Sequence, residues 1–390
     1  MNLILFDGPQ RDHLLPFTFT RPVADLRLGI LTIAEKWERR LETKPSFYTP
    51  GYLRDCFKPK IQEDNVMVNG GLTPNLRLLS KIVELKMGQG LFAGEELLSC
   101  RISGEQVVDF PDIELERVEF EADFTMVRKP WDLFLLNKAE LKKDFELVTG
   151  GRTSAPISST NTVMGDQIFL EEGAYVEASI LNATDAPIYI GKNAQVLEGA
   201  MIRGGLAIGE SSVIKMGAKM YGATTLGPHC KVGGEVSNSI LMGYSNKGHD
   251  GYLGNSVLGE WCNLGADTNN SNLKNNYDEV KVWDYTTGRF ARSGQQFVGL
   301  LMGDHSKAGI NTMFNTGTVV GVSANVYGAG FPRNFIPSYS WGGASGTMVY
   351  KLDKAFDTMQ RMMSRRGLEL TDELRAMYEK VFDLTEGYRR

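Results

Sequence analysis

The chain of 390 residues is short of cysteine and histidine, with four of each. Its four cysteines, Cys56, Cys100, Cys230 and Cys262, are widely spaced and include no C-x-x-C pair. That spacing argues against a zinc ribbon or a disulfide framework and reads as free thiols in a reducing compartment. A basic excess is missing too: 42 Lys and Arg stand against 47 Asp and Glu, a net charge of −5. General binders of nucleic acid or of membrane surfaces need the opposite sign, whereas a local basic pocket for one phosphate stays compatible. No run approaches the roughly 18 apolar residues of a membrane span. Leu3–Phe6 is apolar but has neither a basic leader nor a long hydrophobic stretch, so it reads as a first strand and not as a signal peptide. The expectation is a cytoplasmic protein whose partners are neither nucleic acid nor membrane.

What the sequence has in excess is glycine: 43 residues, 29 of them between 166 and 346 against 12 in residues 1–165. The same stretch has a period. Steps of six from Ile190 give Ile190, Val196, Ile202, Ile208, Ile214, Met220, Leu226 and Val232, all apolar. A second series runs Met302, Ala308, Phe314, Val320, Val326. Glycine follows directly at Gly191, Gly209, Gly227 and Gly233, and again at Gly303, Gly309 and Gly321. Neither a helix nor a plain strand selects a period of six. A parallel β-helix does. Six residues make one flat face and one corner, every sixth side chain points inward, and the corner favours glycine. Three faces make one coil of about 18 residues. Stacked coils bury one another's faces, and the flat sides of such a prism invite association about a threefold axis. The register is expected to break between Val232 and Leu253. It breaks again between Ala266 and Val298, where an Asn-rich insertion ends in a hairpin-like turn at Thr287-Gly288. A loop leaving a rigid prism is a natural place for a site.

The fold class expected is α/β plus all-β. Residues 1–150 read as a mixed α/β domain. Leu3–Phe6 is a buried strand before a turn at Asp7-Gly8-Pro9, Ile30–Arg40 has helical spacing, and Asn65–Val68 is a strand ended by Gly70-Gly71. Trp131–Phe145 reads as an amphipathic helix through Leu133, Leu136, Ala139, Leu141 and Phe145. Residues 151–165 form a polar linker, and 166–346 the solenoid. In 347–390 the apolar positions Leu352, Phe356, Met359 and Met363, then Leu374, Met377, Tyr378 and Phe382, flank Gly367. They read as two helices that cap the open end of the solenoid or pack on a neighbouring subunit, with the methionines as core.

Only four histidines are available as bases near neutral pH: His13, His229, His249 and His305. His229 and His305 fall at solenoid corners and His13 in the first loop, where turn residues are expected. His249 lies at the first register break, between Gly248 and Gly251 and beside Lys247 and Asp250.

The segment 246–276, NKGHDGYLGNSVLGEWCNLGADTNNSNLKNN, resembles the acetyltransferase domain of the bifunctional UDP-N-acetylglucosamine pyrophosphorylase/glucosamine-1-phosphate N-acetyltransferase family. The shared pattern is a His, Tyr-Leu-Gly three residues on, Asn-Leu-Gly-Ala-x-Thr, and an Asn in the following loop. TRPVADLRLGILTIAEKW and KPWDLFLLNKAELKKDF extend the resemblance into the N-terminal half. It implies a left-handed parallel β-helix of hexapeptide repeats behind a Rossmann-type, nucleotidyltransferase-like domain. It further implies a homotrimer with acetyl-transfer sites between subunits. Acetyl-CoA would be the cosubstrate and a sugar phosphate the acceptor. His249 matches the general base and Asn272 the loop residue that orients it or the amine. Tyr252, Asn263 and, by its charge, Lys247 match substrate contacts, with Lys215 and Lys219 as further cations for the phosphate. Ala266, Ile310 and Gly328 match coenzyme positions, of which Ile310 departs from the family's small residues.

In the N-terminal half the family carries a loop of the form Leu-x-x-Gly-x-Gly-Thr-Arg that cradles a nucleoside triphosphate. Here Gly8 and Arg11 match, the second glycine is absent, and Pro9 removes an amide donor. Arg21 stands where the family has a lysine after proline, and Asn137 matches a Mg²⁺ ligand. The resemblance therefore implies N-acetylation followed by uridylyl transfer from UTP, giving UDP-N-acetylglucosamine or a related nucleotide sugar. The alternatives are a hexapeptide acetyltransferase with a silent N-terminal domain, and a non-catalytic assembly or regulatory subunit.

Overall fold

The computed structural model describes residues 2–389. They form two compact units. One runs through Lys129 apart from Leu15–Phe19 and Arg27–Ile30, and the other holds those two segments and everything from Pro130 onward. The boundary thus falls before the helix expected at Trp131–Phe145 and not at residue 150.

The first unit is a six-stranded mixed sheet with helices. Its elements are β1 (Asn2–Phe6), α1 (Ile33–Leu41), β2 (Ser46–Tyr48), β3 (Asp64–Asn69), α2 (Leu76–Glu84), β4 (Gln89–Ala93), β5 (Glu96–Ser103), α3 (Gly104–Asp109) and β6 (Glu116–Glu119). The spatial order is β2-β1-β3-β5-β4-β6, and only β5 runs against the rest. A central parallel strand is covered on both faces, so it reads as an unbroken apolar run. Leu3, Ile4 and Leu5 of β1 are buried accordingly. Helix α1 starts where Thr32 and Glu35 form a reciprocal capping box. Its Trp37 is buried and donates from Nε1 to Leu72 O at 2.8 Å.

The second unit opens with α4 (Asp132–Thr149). Its expected apolar stripe is only partly the buried one: Leu136 and Phe145 are half-buried and Ala139 is exposed. The helix is rolled so that Asn137, Glu140 and Asp144 lie inside. The physical reason is a set of peptide groups that need partners. Gly29 N donates to Asn137 Oδ1 at 2.8 Å, Ile30 N donates to Asp144 Oδ2 at 2.9 Å, and Asn137 Nδ2 donates to Ala223 O at 2.9 Å.

From Thr162, inside the expected linker, the chain winds into a prism with three sheets of six, nine and ten strands. Every ladder joining successive coils is parallel. Only the last pair, Ser340–Gly343 with Gly346–Val349, is antiparallel. All members of both hexad series are buried and belong to one continuous core. The corners differ from expectation. The left-handed residues three places after inward positions include Asn193, Ser211, His229, Tyr244, Trp261, His305, Asn311 and Ser323, with φ between 53° and 58° for all but Trp261 at 61°. The glycine next to the inward residue has another task. At Gly227 an added Cβ would lie 1.6 Å from Met242 O, so glycine is needed there for coil-to-coil approach.

The first expected register break is a set of shortened corners. The core runs on through Val236, Leu241, Leu253 and Leu258, in places by steps of four or five residues. The second is a real excursion: after Asn270 the chain leaves the prism, forms a hairpin of Lys281–Asp284 with Arg289–Arg292, and returns at Leu300. Helices α5 (Leu352–Ser364) and α6 (Asp372–Leu384) follow, separated by Gly367 as expected. Met359, Met363 and Met377 are core. The helices lie along a corner of the prism as well as at its end: Arg366 Nη2 donates to His229 O at 3.3 Å, and Tyr339 Oη to Tyr378 O at 2.7 Å. Among the described residues no helix is long and apolar enough to cross a membrane.

Candidate active site

One corner of the prism carries a stack of rings. His229, Tyr244, Trp261 and His305 occupy the same position in successive coils, with centroids 5.0, 4.2 and 5.9 Å apart and planes within 19° of parallel. Tyr378 of α6 meets His305 edge-on at 5.3 Å. His229 and His305 therefore serve packing. Burial and the Arg366 guanidinium hold the His229 imidazole below its usual pKa.

Beside this stack runs a row of outward side chains. Lys231 pairs with Asn246, Asn246 with Asn263, and Asn263 with Lys307 across adjacent strands. Row, stack and α5 enclose a groove of about 900 Å³. His249, Ala266 and Ile310 line it with Lys215, Arg365 and Arg366. None of the described lining residues is acidic, so the groove suits an anionic ligand. His249 is exposed, on the four-residue loop Gly248–Gly251 between Asn246–Lys247 and Tyr252–Gly254.

Tyr252 and Asn272 lie elsewhere. They line a second cavity of about 600 Å³ with Ser237, Asn238 and Asn255. Asn272 Nδ2 donates to Tyr252 Oη at 3.0 Å and to Asn255 Oδ1 at 2.7 Å. This pocket exists because two asparagines replace a peptide ladder: Asn269 Oδ1 accepts from Tyr252 N at 2.8 Å and Asn270 Oδ1 from Gly254 N at 2.9 Å. Gly328 and the exposed Ile310 line a third recess of about 480 Å³. The chain thus brings together His249, Asn263, Ala266 and Ile310, while Tyr252 with Asn272 and Gly328 lie in separate recesses.

Lys247 is not a surface cation. It is 1% exposed and faces the prism interior, so it does not reach a phosphate in the groove. Burial pulls its pKa down to about 8 against the opposing pull of Asp250 and Asp267. Lys219 pairs in the sheet between Met201 and Glu235, away from the groove lining. The cations that do line the groove, Lys231, Lys307, Arg365 and Arg366, escaped the sequence reading. The solenoid pair was legible in principle, because each directly precedes an inward residue, Val232 or Ala308.

In the first unit the loop after β1 folds back on itself as a 3₁₀ turn, Pro9–Leu14. Gly8 packs against Gln10 and Asn69, where an added Cβ would come within 2.6 Å of both side chains. Asp7 is the hub: its carboxylate accepts from Val23 N at 2.7 Å, Thr49 Oγ1 at 2.5 Å and Arg11 Nε at 3.2 Å. Burial raises its pKa despite these partners. Arg11 also donates to Tyr52 Oη at 2.8 Å, and Arg21 pairs with Asp25 at 3.6 Å. Both arginines are buried, so their charge is answered inside the fold. Asn137, expected at a metal, belongs to the second unit. Its fully buried amide bonds Gly29, Ala223 and Thr225, which leaves it no part in holding Mg²⁺.

Residues 3–153 match the family described as sugar nucleotidyl transferase. A bifunctional sugar-1-phosphate nucleotidylyltransferase/acetyltransferase of Sulfurisphaera tokodaii is 25% identical over 278 residues, 69% of this chain and 59% of its own. A bifunctional protein GlmU of Methanococcus vannielii is 27% identical, over 55% of this chain and 45% of its own. The chain therefore spans roughly half to three-fifths of the length of these relatives. Among solved structures, a hexapeptide transferase family protein from Anaplasma phagocytophilum aligns with 58% of this chain and 92% of its own at 14% identity, but its TM-score of 0.14 is too low to bear on the site. Taken together, the first unit matches a sugar nucleotidyl transferase model, the chain is similar at 25–27% identity to these two bifunctional proteins, and the prism that follows is a parallel β-helix.

Proposed function

We propose that the prism transfers an acetyl group from acetyl-CoA to the amine of a hexosamine 1-phosphate, glucosamine 1-phosphate in the first instance. The observation that carries this reading is the exposed His249 at a groove whose described lining residues include five cations and no carboxylate. Acetyl-CoA is polyanionic, and the Lys and Arg side chains of the groove suit its phosphates. An ammonium cannot attack a thioester, so His249 takes a proton as the amine attacks. The N–C bond forms, the C–S bond breaks, and the thiolate leaves to be protonated as the free thiol. Ala266 lies on the groove wall where the thioester would pass.

His249 and the Tyr252–Asn272 pair line different cavities of one protomer. Two half-sites in separate cavities of a prism suit a homotrimer in which the His249 groove of one protomer meets the Asn272 pocket of the next. Incubation with acetyl-CoA and glucosamine 1-phosphate should release free thiol, and His249→Ala should lower the rate by about 10²-fold or more. No release with any amino-sugar phosphate overturns the reading.

The first unit would then transfer a nucleotidyl group, uridylyl from UTP, to the acetylated sugar 1-phosphate. The family match over residues 3–153 supports this. A second reading has a specific observation in its favour: Arg11 and Arg21 are buried and paired with Asp7 and Asp25. On that reading the first unit is silent. The residue expected to hold Mg²⁺, Asn137, is fully buried and bonded to Gly29, Ala223 and Thr225, and does not fit one. Pyrophosphate release from UTP and N-acetylglucosamine 1-phosphate with Mg²⁺ decides between the two.

A further inference from the structure

Lys247 stands where the repeat demands an apolar side chain. In its sheet the inward positions of the two preceding coils are Ile214 and Val232, and Val232 pairs directly with Lys247. A buried ammonium needs partners, because an unpaired one is strongly disfavoured away from water. Lys247 Nζ has two: His249 O at 2.7 Å and Asp250 O at 3.0 Å. Both belong to the loop that carries the exposed imidazole.

That loop has little else to fix it. Gly248 and Gly251 flank His249 and Asp250, and Gly248 has no neighbour within 4 Å of where a Cβ would stand. Gly251 has φ 111°, which glycine adopts without strain. The other anchors are backbone bonds, from Asp267 N to Asp250 O at 3.0 Å and from Glu235 N to Gly251 O at 3.2 Å. None of them acts on the peptide of His249 itself. The donor on the His249 carbonyl comes from inside the prism.

We propose that Lys247 is a positioning residue for His249: its interior ammonium clamps the His249 and Asp250 carbonyls and so fixes where the imidazole points into the groove. The proposal rests on the reading of His249 as the base of acetyl transfer. It gives the lysine a purpose that surface charge does not, since the side chain is closed off from any ligand in the groove.

The test replaces Lys247 by Met, which fills interior positions elsewhere in this prism at Met220 and Met302. Lys247→Gln is a second variant that keeps a donor but is too short to reach both carbonyls. Misplacing a base by about 1 Å can lower the rate about 10²-fold, so kcat for acetyl transfer should fall by about ten- to a hundredfold in K247M and less in K247Q. KM for the amino-sugar phosphate should change by less than about threefold, because no substrate contact is lost. Amide hydrogen exchange across residues 246–252 should quicken in both variants, while the strands of the coils on either side keep wild-type protection. A kcat within twofold of wild type together with unchanged exchange overturns the proposal. If K247M does not fold, K247Q decides: wild-type kcat and exchange in that variant overturn it. Should the wild-type protein itself transfer no acetyl group, the functional reading fails, and the exchange measurement alone still decides whether the clamp exists.

Discussion

If the acetyl-transfer site joins His249 of one protomer to Asn272 of the next, two dead variants should revive each other. His249→Ala removes the base from one cavity, and Asn272→Ala removes the donor to Tyr252 and Asn255 from the other. The two side chains sit on separate surfaces, so neither substitution disturbs its neighbour's half-site. In a ring of three, each site takes its histidine from one protomer and its asparagine from the adjoining one. When equal amounts of the two variants are unfolded together and refolded, a site has an intact histidine half the time and an intact asparagine half the time. About a quarter of all sites are then complete, and about a quarter of wild-type activity should return. Each variant alone should stay about 10²-fold down if both groups act in the chemical step. The assay is thiol release from acetyl-CoA after mixing, with variants mixed but not refolded as the baseline. Recovery no greater than the sum of the parents refutes a site shared between protomers. A wild-type rate for Asn272→Ala alone would refute it as well, by placing the whole reaction within the His249 groove.

Three further outcomes follow from the groove and the core. Lys231→Glu or Arg366→Glu should raise KM for acetyl-CoA about tenfold or more with little change in kcat, because each reverses a charge lining the groove; initial-rate kinetics check this. Trp261→Ala should lower unfolding stability by about 3 kcal/mol, since it empties a 6% exposed position stacked between Tyr244 and His305; denaturant unfolding measures it. Lys247 contributes a pH dependence of known sign. Its folded pKa, about 8, lies below the ordinary 10.5, so the unfolded chain binds more protons between those values and stability from this group rises with pH there. The melting temperature of K247M relative to wild type should therefore be highest near neutrality and shrink as pH rises from 7 to about 9.5, and a constant gap would contradict a charged lysine in the interior.

The prism was legible because its period is strict. Eight inward residues at six-residue spacing admit one regular architecture, and every one of them is buried. His249 and its neighbours were legible as a motif, but not their arrangement. Tyr252 follows His249 by three positions, yet the strand after the loop puts the two in different cavities. Helix α4 shows the opposite difficulty. Its sequence displays a plausible apolar stripe, while its true inner face contains Asn137, Glu140 and Asp144, because the peptides of Gly29 and Ile30 need acceptors that only the tertiary fold supplies. Propensity and periodicity report what a helix can bury, not which buried peptides it must serve. The groove cations just after α5 were invisible for a related reason. Arg365 and Arg366 become part of a site only because the last helices run back along the ring-lined corner.

The candidate site coincides with the places where the repeat is broken. A strict solenoid has a smooth surface, a dry interior and a peptide ladder satisfied from coil to coil. Chemistry needs a side chain held at a defined angle above that surface. The chain obtains this by three local violations: a lysine inside the core beneath the His249 loop, two glycines that let the loop stand clear, and two asparagines whose amides replace the ladder opposite Tyr252 and Gly254. Each is unfavourable for a plain prism, since each gives up apolar packing or regular pairing. Their clustering within residues 247–270 sets this stretch apart, because the coils before and after keep apolar residues at the inward positions of both hexad series. An alternative in which this region only joins two stretches of prism would leave that cluster without a cause. Replacing Asn269 and Asn270 by apolar residues should then abolish acetyl transfer and, by leaving Tyr252 N and Gly254 N without acceptors, lower stability by about 1–3 kcal/mol each, whereas Lys247→Met alone should give a protein at least as stable.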